Sequence, residues 1–251
     1  MPAYHEPVYG KLTLASLSRA IRRGWEMFLR TRPLSVSFAM IFALVGIVIL
    51  VAIERASFAP MIFPLTGGFM LIGPFLLTGF FAVADRIATG DASSYSDIVR
   101  GFSRSSREMM TLALVCTVLF IVWITHTATL YGFIVGRTPT PLLQLISPSS
   151  NVLSFLCWSS LLGVFLAFVI FSISAFSVPL LYYRRAGLIK AVQLSVGAVF
   201  ANLVPCLLWA LILAVSIVSS ILIFPLFLMT FPVLAFGSHA LYRELFPESP
   251  V

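Results

Sequence analysis

Few residues in this chain could do chemistry. Three histidines and three cysteines stand among its 251 residues. Cys116, Cys157 and Cys206 are far apart and form no CxxC pair, so they read as small apolar residues with free thiols. His5 lies in a polar amino-terminal tail. His126 and His239 lie in long apolar stretches, where two imidazoles raise the chemistry of a haem or metal pair. Helical rise argues against one shared iron. His126 falls about 24 Å from the basic end of its segment, His239 about one turn from the same end of its own, a difference of about 20 Å. His239 opens "HALYRE", with Tyr242 and Arg243 following. It reads as a membrane-exit residue that contacts a headgroup or a neighbouring helix. The carboxylates Asp91 and Asp97 sit together in a polar loop, where turn and helix-start chemistry accounts for them. There is no HExxH, no GxSxG and no phosphate-cradling glycine loop. The expectation is therefore a chain that is not an enzyme, with no catalytic residue, no metal site and no cofactor.

The elements that must position these residues follow from composition. The chain is 60% hydrophobic and 10% charged, against about 25% charged in soluble domains. Its mean hydropathy is +1.05. A soluble fold of this size has nowhere to hide so much apolar surface. The charges cluster, and the uncharged gaps 33–53, 56–84, 109–136, 138–183 and 191–242 are long enough to span a bilayer, which takes roughly 20 residues per helix. Pro139, Pro141, Pro148 and the Ser-Ser-Asn at 149–151 make the start of the fourth gap a loop. The last gap suits two helices. Backbone groups in hydrocarbon must be paired internally, and period-2 alternation is absent, so the spans are helices. The fold class expected is an all-α membrane protein with six transmembrane helices, at about 34–53, 62–84, 110–131, 153–182, 200–220 and 223–241. Residues 1–33 form a tail and an amphipathic helix, 34–243 the membrane domain, and 244–251 a second tail. The first 33 residues lack the early apolar core of a cleavable signal.

Of the sixteen basic residues, all but Arg55 and Arg137 fall on one side of this arrangement. The positive-inside rule puts that side, with both termini, in the cytoplasm. The basic balance then faces anionic lipid and implies no nucleic-acid partner.

The chain also repeats itself. "IRRGW" (21–25) matches "IVRGF" (98–102), each on an amphipathic segment ahead of an odd-numbered span. In the first, Leu14, Leu17, Ile21, Trp25 and Phe28 have helical spacing, with Arg22 and Arg23 off that face. In the second, Ser94 with Asp97 resembles a capping box, and Arg100 and Arg104 carry the charge. A less polar segment, 187–199, precedes the fifth span. "PFLLTGFFA" (74–82) matches "PVLAFGSHA" (232–240), and "VPLLYYRR" (178–185) again has a proline, Pro179, near the inner end. The expected unit is a cytoplasmic amphipathic interfacial helix, a span, an outer turn and a proline-containing span, present three times as three hairpins. Pro74, Pro179 and Asn202 are candidate lining for a central cavity, with Thr66, Thr78, Ser177 and Ser238 beside them.

"FSVPLLYYR" (176–184), "AVQLSVGAVFANLVPCLLWALI" (191–212), "PVLAFGSHALYREL" (232–245) and "GPFLLTGFFAVADRIATGDASSYSDIVRGF" (73–102) together resemble a bacterial family of predicted integral membrane proteins, domain of unknown function 2189. The resemblance covers roughly 15–246. It implies a pattern ending in His-x-x-Tyr-Arg, matched by His239, Tyr242 and Arg243, with Pro179, Leu180, Leu181, Ser195, Asn202 and Trp209 matching earlier positions. It implies no established activity.

The expected function is that of a non-enzymatic accessory, scaffold or lipid-interacting protein of the bacterial inner membrane. Its partners are membrane lipids and a membrane protein complex. The alternative is a small transporter or channel for a neutral or amphipathic solute, and the third reading is an accessory subunit of a respiratory oxidase. The candidate lipid-contact or functional residues are His239, Tyr242, Arg243, Asn202, Pro179, Arg22, Arg23, Arg100 and Arg104.

Overall fold

A computed structural model describes residues 7–55, 76–103, 106–136 and 149–247. The described residues are helical, with no strand among them. In chain order they form α1 (Leu14–Arg30), α2 (Arg32–Arg55), α3 (76–88), α4 (Tyr95–Ser103), α5 (Arg107–Ile134), α6 (Ser150–Ser174), α7 (Ser177–Tyr182), α8 (Leu188–Ala201), α9 (Leu203–Leu222) and α10 (Phe224–Leu245). Five stretches among them are long and apolar enough to cross a bilayer: Arg32–Ile49, Arg107–Ile134, Ser150–Tyr182, Leu203–Ser220 and Pro225–Leu245. They coincide with the first, third, fourth, fifth and sixth expected spans. Most of the second, with Thr66 and Pro74, lies outside the described residues, as does Arg104.

Local chemistry sets the helix starts. Thr13 and Ser16 cap α1 reciprocally: the Ser16 N–H donates to Thr13 Oγ1 at 3.2 Å and the Thr13 N–H to Ser16 Oγ at 3.1 Å. Ser106 and Ser149 cap α5 and α6 through their hydroxyls. The fourth span is not one continuous helix. Pro179 has no N–H to give Ala175, and its ring crowds that carbonyl, so the helix breaks at 175–176. Ser195 of α8 fills the break. Its hydroxyl accepts from the Phe176 N–H at 3.1 Å and donates to the Ser172 carbonyl at 2.8 Å.

Close packing at small residues docks the shorter helices. A Cβ on Gly24 of α1 would strike the Val233 carbonyl oxygen and lie 2.9 Å from the Gly237 nitrogen, both on α10. A Cβ on Gly101 of α4 would lie 2.5 Å from the Thr78 carbonyl oxygen and 3.0 Å from the Gly79 Cα, both on α3. This close backbone approach, with its dispersion contacts, docks α1 on α10 and α4 on α3. Trp209 packs on Gly237 and Trp123 on Gly163, so two of the four tryptophans are core, while Trp25 and Trp158 are exposed.

The residues of α1 sort into three faces. Ser16, Leu17, Ala20, Gly24 and Phe28 are buried in the bundle. Leu14, Ile21, Trp25 and Leu29 are exposed. Arg19, Arg22, Arg23, Glu26 and Arg30 occupy the remaining arc, which is also exposed or partly exposed. The single apolar face expected from spacing is therefore two: Leu17 and Phe28 belong to the bundle, the others to the surroundings.

Candidate functional site

Three helices bring polar side chains together at the end of the bundle that carries α1, α4 and α8. Asp85 comes from α3, Tyr183 from just past α7, and His239 from α10. The Tyr183 hydroxyl donates to Asp85 Oδ1 at 2.8 Å and lies 2.9 Å from His239 Nε2. A phenol has one proton, and Asp85 takes it, so His239 Nε2–H is the donor to Tyr183 Oη. His239 Nδ1 is buried and finds no hydrogen-bond partner among the described residues. Burial, and after it the adjacent Asp85 carboxylate, pushes the Tyr183 hydroxyl above the ordinary phenol range, which keeps it a donor.

Neighbouring groups fix this chain of bonds. Tyr242 is buried and stacks on Tyr183, with ring centroids 5.5 Å apart and planes 3° from parallel. Arg185 donates to Tyr242 Oη at 3.4 Å, to the Phe246 carbonyl at 2.7 Å and to the Pro247 carbonyl at 3.1 Å. The Pro179 carbonyl accepts the Tyr183 N–H at 2.9 Å, so the break that Pro179 causes also aims Tyr183. Phe81 lies against the His239 ring at 5.5 Å. The arrangement is a carboxylate–phenol–imidazole chain of hydrogen bonds that ties three helices together.

The structure brings His239, Tyr242 and Pro179 into this cluster, with the Arg243 charge acting on Tyr183. His239 is a helix contact and not a headgroup contact. α10 runs on to Leu245, so the ring is 5% exposed, inside the bundle. Asn202 does other work. Its Oδ1 accepts the Leu12 N–H at 2.7 Å, and its Nδ2 donates to the Gly10 and Ala198 carbonyls, clamping the amino-terminal segment to the α8–α9 junction. Arg22 pairs with Glu26 at 3.3 Å, and Arg23 is exposed on the same helix. Arg100 sits 3.9 Å from Asp97. His126 is exposed on α5.

Asp97 is more than a turn residue. It is 3% exposed, accepts the Ser94 N–H at 2.9 Å and lies 3.3 Å from Arg86 Nε. Burial alone would raise its pKa. The Ser94 N–H and hydroxyl, then Arg86 and Arg100, outweigh that and hold it below the usual carboxylate range. A depressed folded pKa means the contribution is complete above the unfolded value of about 3.9 and is lost as pH falls through the folded one. Thermal unfolding in detergent, followed from neutral pH to below pH 4, should show an acid loss of stability. Asp97→Asn should flatten that loss, and an identical acid limb in both proteins would remove Asp97 from the account.

A cavity of about 120 Å³ lies between α3, α6, α9 and α10, with the hydroxyls of Ser174, Ser216, Ser220, Thr230 and Ser238 on mainly apolar walls. It includes the expected Ser238. Neither Pro179 nor Asn202 lines it.

Asp85, Tyr183 and Arg185 escaped the sequence reading. They stand at the charged ends of apolar runs, where a charge marks the boundary of a span. No curated protein and no solved structure matches the chain. The spanning helices are those of an integral membrane protein, and residues 62–182 match the model of the family described as Predicted integral membrane protein (DUF2189), the family that the sequence resembles.

Proposed function

We propose that this chain is a non-enzymatic, lipid-interacting scaffold of the bacterial inner membrane, with six spans in three repeated hairpins and both termini in the cytoplasm. The single observation behind the lipid role is the three-faced α1. One face rests on α10, an exposed apolar stripe holds Leu14, Ile21, Trp25 and Leu29, and an arginine-rich arc completes the turn. A helix of that kind lies in the headgroup plane with its stripe in the acyl boundary. α4 repeats the pattern with Ile98 and Gly101 buried, Tyr95 and Val99 exposed, and Arg100 on the polar side.

The three small-residue contacts support the repeat. Gly24 meets Gly237, Gly101 meets Gly79, and Ser195 meets Ser172. Setting Ser172 opposite Gly79 and Gly237 also aligns Ala175, Ala82 and Ala240. In that register the second unit has Ala167 where the others have Pro74 and Pro232, and Pro179 belongs to its break alone. Each interfacial helix then rests on the second span of the preceding unit in cyclic order.

Replacing Arg22, Arg23, Arg100 and Arg104 together by Ala tests the lipid role. Each basic residue near an anionic leaflet contributes about 1 kcal/mol. The ratio of anionic to zwitterionic lipid co-purifying in mild detergent should fall several-fold. An unchanged ratio, with unchanged protein partners, would sink the proposal. The hydroxyl-bearing cavity supports the second reading, passage of a neutral or amphipathic solute.

A further inference from the structure

We propose that a cleft at the amino end of α8 binds a phosphate group, supplied by the headgroup of an anionic phospholipid. The cleft, about 480 Å³, is lined by Arg184, Arg185, Lys190, Glu108, Ser106 and Gly187, among others. Three cations face one carboxylate there, so the concavity is net positive. Arg185 is committed through its N–H groups to the Phe246 and Pro247 carbonyls, yet its charge remains. The Arg184 guanidinium is exposed and makes no hydrogen bond or ion pair among the described residues. Gly187, where α8 begins without a side-chain cap, is on the same wall.

Position selects the source of the phosphate. The cleft follows directly on the spanning stretch Ser150–Tyr182, at the depth of lipid headgroups. Beside it, at the start of α8, Ile189 is exposed, an apolar margin suited to an acyl chain. A basic pocket between helix ends, with apolar surface beneath, fits a phospholipid better than a soluble anion. The inference deepens the lipid-interacting reading by naming one site and one headgroup chemistry.

The test uses the purified full chain in nanodiscs of phosphatidylcholine containing a minority of phosphatidylglycerol. Native mass spectrometry reads the phosphatidylglycerol retained through delipidation. Wild type should keep it, and Arg184→Gln/Lys190→Gln should bind it roughly 5-fold more weakly for each cation removed. Arg185 stays, because it holds the Phe246 and Pro247 carbonyls. Arg184→Lys/Lys190→Arg, which keeps both charges, should restore retention and separates charge from misfolding. If inorganic phosphate binds directly and the Gln variant abolishes that binding, the phosphate site stands with a soluble ligand in place of lipid. Equal retention by wild type and the Gln variant, with no phosphate binding, overturns the proposal. So does an equal loss in Arg22→Gln/Arg23→Gln, which reads only the general basic surface of α1. A cleft that fails while the α1 variant still loses bulk anionic lipid leaves the broader lipid role intact.

Discussion

Gly24→Ala is expected to destabilise the protein by about 3 kcal/mol, the upper part of the usual cost of over-packing. The reason is what the new methyl would meet. The Val233 carbonyl oxygen, the Gly237 nitrogen at 2.9 Å and the Gly237 Cα at 3.3 Å are all backbone of α10. No side chain can swing aside, so α1 must lift from α10. That would break the Arg19–Glu244 pair and open the face that buries Leu17, Ala20 and Phe28. Gly46→Ala is the control, since a Cβ there has nothing within 4 Å among the described residues, and alanine in an open helical position is neutral or slightly stabilising. Thermal unfolding in detergent gives the stability, and tryptic cutting at Arg22 and Arg23 reports whether α1 has lifted. If Gly24→Ala unfolds at the temperature of Gly46→Ala, the close approach does not hold these helices together. Gly101→Ala should behave like Gly24→Ala, because the Thr78 carbonyl and Gly79 Cα are equally unyielding.

The glycine contacts also mark how far the sequence could be read. Both pairs were visible as repeated letters, Gly24 with Gly101 in "IRRGW" and "IVRGF", Gly79 with Gly237 in the two Pro-x-Leu frames. What repetition could not reveal is which glycine meets which. Similarity identifies equivalent positions, whereas packing joins positions that are not equivalent, α1 on α10 and α4 on α3. The spans were legible for a simple reason: apolar length is a one-dimensional property, and the bilayer sets its scale. The polar cluster was not. Using charges as boundaries puts Asp85, at the end of "FFAVAD", outside the membrane by construction. It also hides that a helix end can turn its charge inward onto a neighbour. Placing the last helix end near residue 241, when α10 continues to Leu245, turned His239 from a buried contact into an exit residue. Pro179 stands out as the proline of the fourth span, and Ser195 only through the family resemblance. Only three dimensions show that one breaks the helix and the other repairs it.

Removing one oxygen atom at Tyr183 should have the second large effect. In Tyr183→Phe, the Asp85 carboxylate loses its 2.8 Å donor and His239 Nε2 loses its one hydrogen-bond partner among the described residues. Stranding the buried imidazole costs about 1–3 kcal/mol, while the Asp85 side chain, 34% exposed, recovers part of its loss from water. His239 Nδ1 already lacks a partner among the described residues, so the variant would leave the imidazole with no hydrogen bond to any of them. Tyr183→Phe should therefore lose about 2–3 kcal/mol on this reasoning, with the stacked ring on Tyr242 retained. His239→Phe should cost less. It leaves the Tyr183–Asp85 bond in place, and the proposed repeat already carries Phe81 at the equivalent position of α3. The ordering discriminates between two roles. If the cluster ties α3, α7 and α10 together, Tyr183 is the hub, and a double-mutant cycle between Tyr183→Phe and Asp85→Asn should return a coupling of about 0.5–3 kcal/mol. If His239 binds something in its own right, His239→Phe will be the more damaging change and the Tyr183–Asp85 coupling will be near zero. Unfolding of wild type, the three single variants and the Tyr183→Phe/Asp85→Asn double variant in one detergent decides the matter, because a hydrogen-bonded hub and an independent ligand give opposite rank orders.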